Sequence, residues 1–409
     1  MNKKKIFNDP VYGFITIPGS FIFDIIEHPY FQRLRRIKQL GLTDLVYPGA
    51  LHTRFHHALG AMHLMGMALN RLRSRGHQIS EDEKEAALAA ILLHDIGHGP
   101  FSHALEKTLL SHIAHEKLSY LIMEKLNKEF NGKLDLTIKM FLNLYERKFF
   151  HQLISSQLDM DRLDYLKRDS FFTGVMEGTI GADRIIKMLD IIDDELVIEE
   201  KGIYSIENFL SSRRLMYWQV YLHKTTVCAE KMLIQIIKRA QYLSQTGEKV
   251  FASEALNVFL QQKITLEDFS QNALFLQAFT SLDDYDLWGA IKIWKNHNDP
   301  VLSLLCNQLL ERKLFRIEIS RTQFEEEKIE QLKKEVVKKL GLPEENSEYF
   351  VVNGVLRNRA YLPVSNKINV LTKKGQVLDV AQASDLPNIK AISKIVKKHY
   401  LCWPKNVSL

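Results

Sequence analysis

Residues 94–103 read HDIGHGPFSH, which places a His-Asp pair, two further histidines, two glycines and a proline within ten positions. The pair follows an apolar run, so we expect it near a helix C-terminus, with Gly97 allowing the chain to turn beyond it. An imidazole nitrogen and a carboxylate oxygen aimed at one point suit a transition-metal ion. Two ligands do not fill a coordination shell. The candidates for the rest are His57, upstream, and Asp161, within DMDRLDYLKRD at 159–169.

The sequence around this stretch predicts helices. Apolar residues recur at helical spacing over 54–72, and a capping box from Ser80 to Glu83 begins a second helix that we expect to end at Gly97. Further helices are predicted at about 115–130, 137–170, 182–192, 205–245 and 285–310. FQRLRRIKQLG (31–41) has one apolar stripe, and its basic residues are expected on a solvated face.

The pattern changes after about residue 312. KLFRIEI and EYFVVNG predict strands, residues 323–340 predict a charged helix, and the segment around Gly375 predicts a hairpin. We therefore predict a mainly α fold, in which a helical bundle core is followed by a small C-terminal α/β region. The expected divisions are a catalytic core at 1–245, a helical extension at 246–311 and the α/β region at 312–409.

The amino-acid composition of the chain limits the classes of protein to which it can belong. The 409 residues are 46% hydrophobic and carry a net charge of +6, which is typical of a globular chain and favours an anionic partner. The longest apolar run, Ala86 to Leu93, is far shorter than the roughly 20 residues of a membrane span. No secretory signal follows MNKKK, and three cysteines lie far apart, so we expect a cytoplasmic protein without a membrane partner.

The histidine-rich region from 52 to 115 favours a metal site or an acid-base site. Two imidazoles and two carboxylates form a mixed donor set that suits one Fe, Mn, Co or Zn ion and leaves room for water or a substrate oxygen. The nearby His98, His103 and His115 are candidates to neutralise phosphate charge or to protonate a leaving oxygen. These features together predict a metal-dependent phosphohydrolase.

Five stretches in register resemble successive motifs of the HD-domain deoxynucleoside triphosphate triphosphohydrolases, the family of bacterial dGTPases and the animal sterile-alpha-motif/HD protein. They are FNDPVYG (7–13), FQRLRRIKQLG (31–41), YPGALHTRFHHALG (47–60), HDIGHGPFSH (94–103) and DMDRLDYLKRD (159–169). The resemblance implies an HD-domain core. It also implies cleavage between the α-phosphorus and the 5′ oxygen of a dNTP, which releases a deoxynucleoside and inorganic triphosphate.

The resemblance assigns a role to each site residue. The implied metal ligands are His57, His94, Asp95 and Asp161, and Mg²⁺ on the substrate phosphates is an open addition. The implied catalytic residues are His98, His115, His103 and Glu106. The implied substrate-binding residues are Gln39, Leu40, Arg54, Arg162, Tyr165, Asp169, Arg213, Tyr221 and Lys224. His56 stands where relatives carry an acidic residue, so it is a rival of His57 for the metal.

The resemblance also bears on partners. It implies a homo-oligomer, either dimer or tetramer, with an activator nucleotide near Lys5, Gln32 and Arg35. Two other functions stay open. One is a different HD-domain nucleotide phosphohydrolase, such as a 5′-monophosphatase or a phosphodiesterase. The other is a non-enzymatic protein that binds nucleotides or nucleic acid.

Overall fold

The computed structural model describes residues 5–110, 113–358, 367–386 and 396–407, with the backbone alone at 103 and 107, and it is mainly helical. The α-helices are α1 (Ser20–Glu27), α2 (Pro29–Gln32), α3 (Arg54–Ser74), α4 (Glu81–Leu93), α5 (His103–Leu109), α6 (His115–Glu129), α7 (Asp135–Phe141), α8 (Lys148–Ile154), α9 (Met160–Thr173), α10 (Ala182–Lys187), α11 (Ile203–Met216), α12 (Lys224–Gln245), α13 (Glu254–Gln261), α14 (Leu266–Gln271), α15 (Ala273–Ser281), α16 (Asp284–Trp294), α17 (Pro300–Leu310), α18 (Glu326–Leu340) and α19 (Val380–Ala383). Short 3-10 turns span Arg33–Arg36, Thr43–Leu45, Met176–Gly178, Glu200–Gly202 and Glu344–Tyr349, and a π-helical turn spans Tyr217–Tyr221.

The strands form three small sheets. They are β1 (Ile6–Asp9), β2 (Gly13–Thr16), β3 (Leu189–Ile192), β4 (Glu195–Glu199), β5 (Arg316–Ser320), β6 (Val352–Asn358), β7 (Asn369–Leu371), β8 (Val377–Asp379) and β9 (Val396–Trp403). β1 and β2 form a hairpin, and the other sheets have the orders β3-β4-β7-β8 and β5-β9-β6. Because β7 pairs in parallel with β4, the predicted C-terminal hairpin completes a sheet that begins near residue 189.

The first two predicted helices are confirmed as α3 and α4. Ser80 Oγ accepts a hydrogen bond from Glu83 N (3.0 Å), and the Glu83 carboxylate accepts one from Ser80 N (2.7 Å), which is the predicted capping box. The residues of α4 from Ala86 to Leu93 are all buried. The predicted end at Gly97 is wrong, because the helix ends at Leu93 and residues 94–97 form turns.

The longer predicted helices are interrupted. The expected helix at 137–170 is three helices, and Asp159 caps the last of them by accepting a hydrogen bond from Arg162 N (2.7 Å). The expected helix at 182–192 ends at Lys187, because the β-branched residues beyond it pair as the β3-β4 hairpin. The helix at 205–245 is broken by the π-helical turn, and the one at 285–310 is broken before Pro300.

Arg33 contradicts the prediction that the basic residues of 31–41 face solvent. Its side chain is fully buried, whereas Arg35 and Arg36 are exposed as expected. The guanidinium donates to the carbonyl oxygens of Phe279 (3.3 Å), Leu282 (2.9 Å), Ile96 (2.8 Å) and His98 (2.9 Å). A buried guanidinium is tolerated when its donors are satisfied in this way. Arg33 therefore clamps the loop after α4 to the end of α15.

One hydrophobic core runs through the described ranges, from Ile15 to Val407. Its centre is formed by α3, which packs against both α4 and α9. The three cysteines are buried and free. Within the described ranges, no helix has both the length and the apolar character that crossing a bilayer demands.

Candidate active site

The four predicted metal ligands converge where α3, α4 and α9 meet. His57 lies on α3, His94 and Asp95 follow α4, and Asp161 lies in the first turn of α9. Asp161 Oδ1 is 3.1 Å from His57 Nε2 and 3.5 Å from His94 Nε2. Asp95 Oδ1 is 3.3 Å from His94 Nε2. The ligand atoms of His57, His94 and Asp161 lie close enough together to share one ion. Asp95 borders this group through His94, and its carboxylate also groups with His98 and His115.

Hydrogen bonds from the Nδ1 atoms orient the imidazole rings of His57 and His94. His57 Nδ1 donates to Asp164 Oδ2 (2.7 Å), and His94 Nδ1 donates to the carbonyl oxygen of Ile91 (2.6 Å). Both Nε2 atoms are buried, and neither makes a hydrogen bond within the described part of the chain. Buried nitrogens of this kind, each fixed through the opposite ring atom, are typical of metal-ligating histidines.

The carboxylates of Asp161 and Asp164 favour a positive charge at the His57 side chain. Burial alone would lower the pKa of His57, but Asp161 and Asp164 outweigh it and raise that pKa to about 10. In turn, the His57 and His94 side chains hold the pKa of Asp161 far below its usual range despite burial. A proton and a metal ion would therefore compete for the same nitrogen atoms.

His56, the rival ligand, points elsewhere. Its Nδ1 accepts a hydrogen bond from Thr53 N (3.2 Å) at the start of α3. The cluster of possible ligand atoms contains His57 and not His56. The structure therefore places His56 at a helix cap.

Arg54 joins the His-Asp pair to the loop that follows it. Its guanidinium donates to Asp95 Oδ2, and to Ser102 Oγ from Nε (2.9 Å) and Nη2 (2.7 Å). Phe101 and Ser102 both have positive φ, of 51° and 46°, which side-chain-bearing residues rarely adopt. The strained turn places the Ser102 hydroxyl beneath Arg54, which fixes the guanidinium next to Asp95.

His98, His115 and Glu106 form a second group beside the first. The rings of His98 and His115 stack with centroids 3.7 Å apart, and His115 Nδ1 lies 3.3 Å from Glu106 Oε1. Burial, reinforced by the charge of Arg54, lowers the pKa of His98 well below its usual value. The side chain of His103 lies outside the described residues.

Gly97 explains how α6 reaches this group. A Cβ atom at Gly97 would lie 2.3 Å from the carbonyl oxygen of His115 and 2.3 Å from Ser119 N. The glycine therefore serves close packing against the start of α6, in addition to the turn that the sequence predicted.

A cavity of about 530 Å³ opens over both groups. Its wall includes eight of the predicted substrate-binding residues, namely Gln39, Leu40, Arg54, Arg162, Tyr165, Asp169, Arg213 and Tyr221. Lys224, at the start of α12, is exposed and is not part of this wall. Glu106 and His57 lie behind the wall. Glu230 on α12 lines the cavity although the sequence did not single it out, and burial raises its pKa to about 7.

One end of the cavity is shaped by a buried hydrogen-bond network. Asp169 accepts from Tyr221 OH at Oδ2 (2.8 Å) and from His52 Nε2 at Oδ1 (2.7 Å). The His52 ring stacks on Phe172 with centroids 4.5 Å apart. Tyr165 packs edge-on to Tyr221 at 6.2 Å. His52 therefore holds the carboxylate and, through it, the tyrosine.

Arg162 and Arg213 are held in place by the loop between α8 and α9. Arg162 Nη1 donates to Asp159 Oδ2, and Arg213 Nη1 donates to Gln157 Oε1 (3.2 Å). Both side chains line the cavity, and Arg162 Nη1 lies 3.9 Å from Asp161 Oδ2. Residues 155–159 thus position two cations that face the same space.

Three supporting residues were missed from the sequence. Asp164 follows Asp161 by three positions on a helix, a spacing that places both on one face and offered a usable signal. His52 lies in the histidine-rich region, but nothing in the neighbouring sequence indicates its partner Asp169. Ser102 carried no signal, because its role depends on the strained turn.

Comparison with known proteins identifies the families that the chain matches and several similar proteins. The chain matches the HD domain family over residues 54–177 and the HD associated region over residues 180–254. It is 33% identical to the uncharacterized protein YwfO of Bacillus subtilis, across 100% of this chain and 94% of that protein. It is 30% identical to the deoxynucleoside triphosphate triphosphohydrolase SAMHD1 homolog of Dictyostelium discoideum, across 62% of this chain and 53% of that protein. The crystal structure of a phosphohydrolase from Bacteroides thetaiotaomicron is similar with a TM-score of 0.95 and 52% identity, covering 98% of this chain and 100% of its own.

Proposed function

Because the chain belongs to the HD-domain, dNTPase-like family of metal-dependent phosphohydrolases, we propose that it hydrolyses deoxynucleoside triphosphates to deoxynucleoside and inorganic triphosphate. The observation that carries the proposal is the composition of one cavity. Its wall includes three of the proposed metal ligands, His94, Asp95 and Asp161. The same wall includes Arg54, Arg162 and Arg213, and the hydrogen-bonded pair of Asp169 and Tyr221.

The donor set supports one divalent transition metal, with His57, His94, Asp95 and Asp161 as its ligands. Two oriented Nε2 atoms and two carboxylates suit Fe, Mn, Co or Zn. When bound, such an ion supplies Lewis acidity towards a phosphoryl oxygen and lowers the pKa of water. Arg54 and Arg162 would hold phosphate oxygens bidentately and balance their charge, with Mg²⁺ on the outer phosphates as an addition.

Protonation of the departing 5′ oxygen is assigned to the second group. His115 faces the cavity, and Glu106 lies behind its Nδ1, so the carboxylate can orient the ring. His98 has a depressed pKa and is therefore neutral near pH 7, which suits a hydrogen-bond donor to an α-phosphate oxygen. His103 and Lys224 remain proposed participants from the family resemblance.

We assign the sugar of the substrate to the end of the cavity that contains Asp169 and Tyr221. Asp169 already accepts hydrogen bonds from His52 and Tyr221, and it retains acceptor capacity for a 3′ hydroxyl. The Tyr221 and Tyr165 rings would pack against the 2′ carbon, so that an added hydroxyl would clash or lose its water partners. Gln39 and Leu40 complete this end of the wall.

The test is product analysis. Metal-loaded protein is incubated with each dNTP and its matching NTP, and triphosphate, pyrophosphate and phosphate are resolved by ion exchange. We expect triphosphate, with higher kcat/KM for the deoxy substrate. His94→Ala with Asp95→Ala provides the control, which should lose both bound metal and turnover while remaining helical. Release of phosphate from a nucleoside monophosphate, or opening of a cyclic nucleotide, would instead assign one of the other HD-domain reactions.

Assembly and activation remain part of the proposal. Arg35 Nε donates to Gln32 Oε1 (2.8 Å) on the exposed side of the 31–41 segment, and the Arg35 guanidinium lies over the Phe55 ring at 3.6 Å. Lys5 lies over the Phe23 ring at 4.8 Å. We propose that a nucleotide bound here promotes a homo-oligomer. Light scattering with and without each dNTP, on native protein and on Arg35→Ala, tests this.

A further inference from the structure

A second cavity, of about 390 Å³, lies between α8, the β3-β4 hairpin and the start of β7. Its wall is largely polar and includes Lys148, His151, Ser155, Lys367 and Asn369. Pockets that bind small molecules usually measure about 300–1,000 Å³. The second cavity is therefore large enough for a nucleotide-sized ligand, and no step of the proposed reaction uses it.

The charges on this wall favour an anion. Neither the Lys148 nor the Lys367 ammonium group forms an ion pair with a described residue. The acid on the wall, Glu195, accepts a hydrogen bond from the Gln152 side chain, whose oxygen accepts one from Leu196 N (2.8 Å). Two exposed lysines that form no ion pair with a described residue, together with serine and asparagine side chains, match the oxygen atoms of a phosphate.

The second cavity meets the catalytic cavity at one residue. Ser155 lines both, and Ser156 and Leu158 line the second cavity on the same loop. The loop is internally braced, since Asp159 Oδ2 accepts from Ser156 N (2.7 Å).

The alternate residues of this loop, Gln157 and Asp159, hold Arg213 and Arg162 on the catalytic side. A ligand that shifts residues 155–159 would therefore shift the hydrogen-bond acceptors of both arginines. Packed loops of this kind move between discrete arrangements rather than deforming continuously.

We propose that the second cavity is a regulatory site for a phosphate-bearing small molecule, whose binding is transmitted to Arg162 and Arg213 through residues 155–159. The binding site stands on its own geometry, whereas the transmitted effect rests on the proposed function. A ligand changes the catalytic site only through its different affinities for the two arrangements of the loop, and such couplings are commonly about 5- to 150-fold.

The experiment compares three metal-loaded proteins. They are the native chain, a Lys148→Glu, Lys367→Glu variant, and a Lys338→Glu, Lys339→Glu control. The control changes the charge equally on the exposed side of α18. Calorimetric titrations use inorganic triphosphate in one arm and ATP in the other, which separates recognition of phosphates alone from recognition of a whole nucleotide. The KM for a dNTP is then measured with and without saturating ATP.

We expect the native and control proteins to share a binding component that is at least tenfold weaker in the Lys148→Glu, Lys367→Glu variant. ATP should change the KM several-fold in the first two proteins only. Identical isotherms in all three proteins would overturn the site, and loss of binding without any difference in the KM response would overturn its transmission. Isotherms need no turnover, so they decide the site even if no dNTP is hydrolysed. A Lys148→Gln, Lys367→Gln variant serves if the glutamates unfold the protein.

Discussion

Asp164→Asn tests whether the metal site depends on the residue behind His57. The carboxylate accepts three hydrogen bonds, from His57 Nδ1 (2.7 Å), Arg168 Nε (2.9 Å) and Arg168 Nη2 (3.0 Å). All three side chains are fully buried. Asparagine keeps the shape of the side chain but removes its charge, and it presents an amide donor to one of these donors.

Two magnitudes follow from this arrangement. Loss of an oriented carboxylate behind a metal-ligating histidine typically lowers metal affinity by about 10- to 100-fold, equivalent to roughly 1.4–2.7 kcal/mol. Loss of one partner of a buried ion pair costs about 3–5 kcal/mol of folding stability. Arg168 keeps a second partner, since Nη1 donates to Asp9 Oδ2 (2.7 Å), so we expect the lower end of that range.

The assay is metal titration of the apoprotein, followed by activity at saturating metal and by urea unfolding. Asp183→Asn, at an exposed aspartate, is the matched control. We expect the Asp164→Asn variant to bind metal more weakly and to recover most of its kcat when metal is in excess, because the four ligands remain. Unchanged metal affinity in a folded Asp164→Asn protein would refute the role given to Asp164.

Substitutions at three other positions probe separate parts of the site. His115→Ala should lower kcat by about two to four orders of magnitude with metal content unchanged, because the proposed proton donor is lost and the four proposed metal ligands remain; steady-state kinetics beside metal analysis measure both. His52→Phe removes a donor to Asp169, so the kcat/KM preference for a dNTP over its NTP should fall by about tenfold, whereas His52→Gln keeps a donor and should retain most of it; equal ratios in the two variants would remove His52 from the sugar site. Burial raises the pKa of Glu230 from 4.5 to about 7, so ionisation of this carboxyl destabilises the fold as the pH rises through that interval. Glu230→Gln should therefore stabilise the protein at pH 8 by up to about 3 kcal/mol and much less at pH 5, as measured by thermal unfolding; equal gains at both values would contradict the shift.

The helices of the core were predictable because their signals are local. The Ser80-Glu83 capping box and the apolar spacing of 54–72 need no tertiary information, and both helices begin where the sequence predicts. The β3-β4 hairpin was not predicted, because its short strands are also compatible with a helix and its register depends on pairing with β7.

The site was predictable to the extent that it depends on residue type. The proposed metal ligands could be chosen from spacing and family motifs, and the structure brings all four together. The supporting residues His52 and Gln157 were not predictable, because they act through partners more than 50 residues away. Asp164 could have been found from its position three residues after Asp161, although its partner His57 is also distant in the sequence. A sequence pattern reports such contacts only where they share a helix face.

The contacts of Arg33 determine how large a fragment of this enzyme must be to keep its active site in place. Arg33 precedes the region matched by the HD domain family, and two of its four acceptors, on Phe279 and Leu282, follow the HD associated region. The other two acceptors belong to the loop that carries His98. A gene fragment trimmed to residues 54–254 would encode every proposed metal ligand and yet leave that loop without its anchor. The unit that can be duplicated, fused or transplanted with its chemistry intact is therefore larger than the two matched regions, and it extends at least from Arg33 to Leu282.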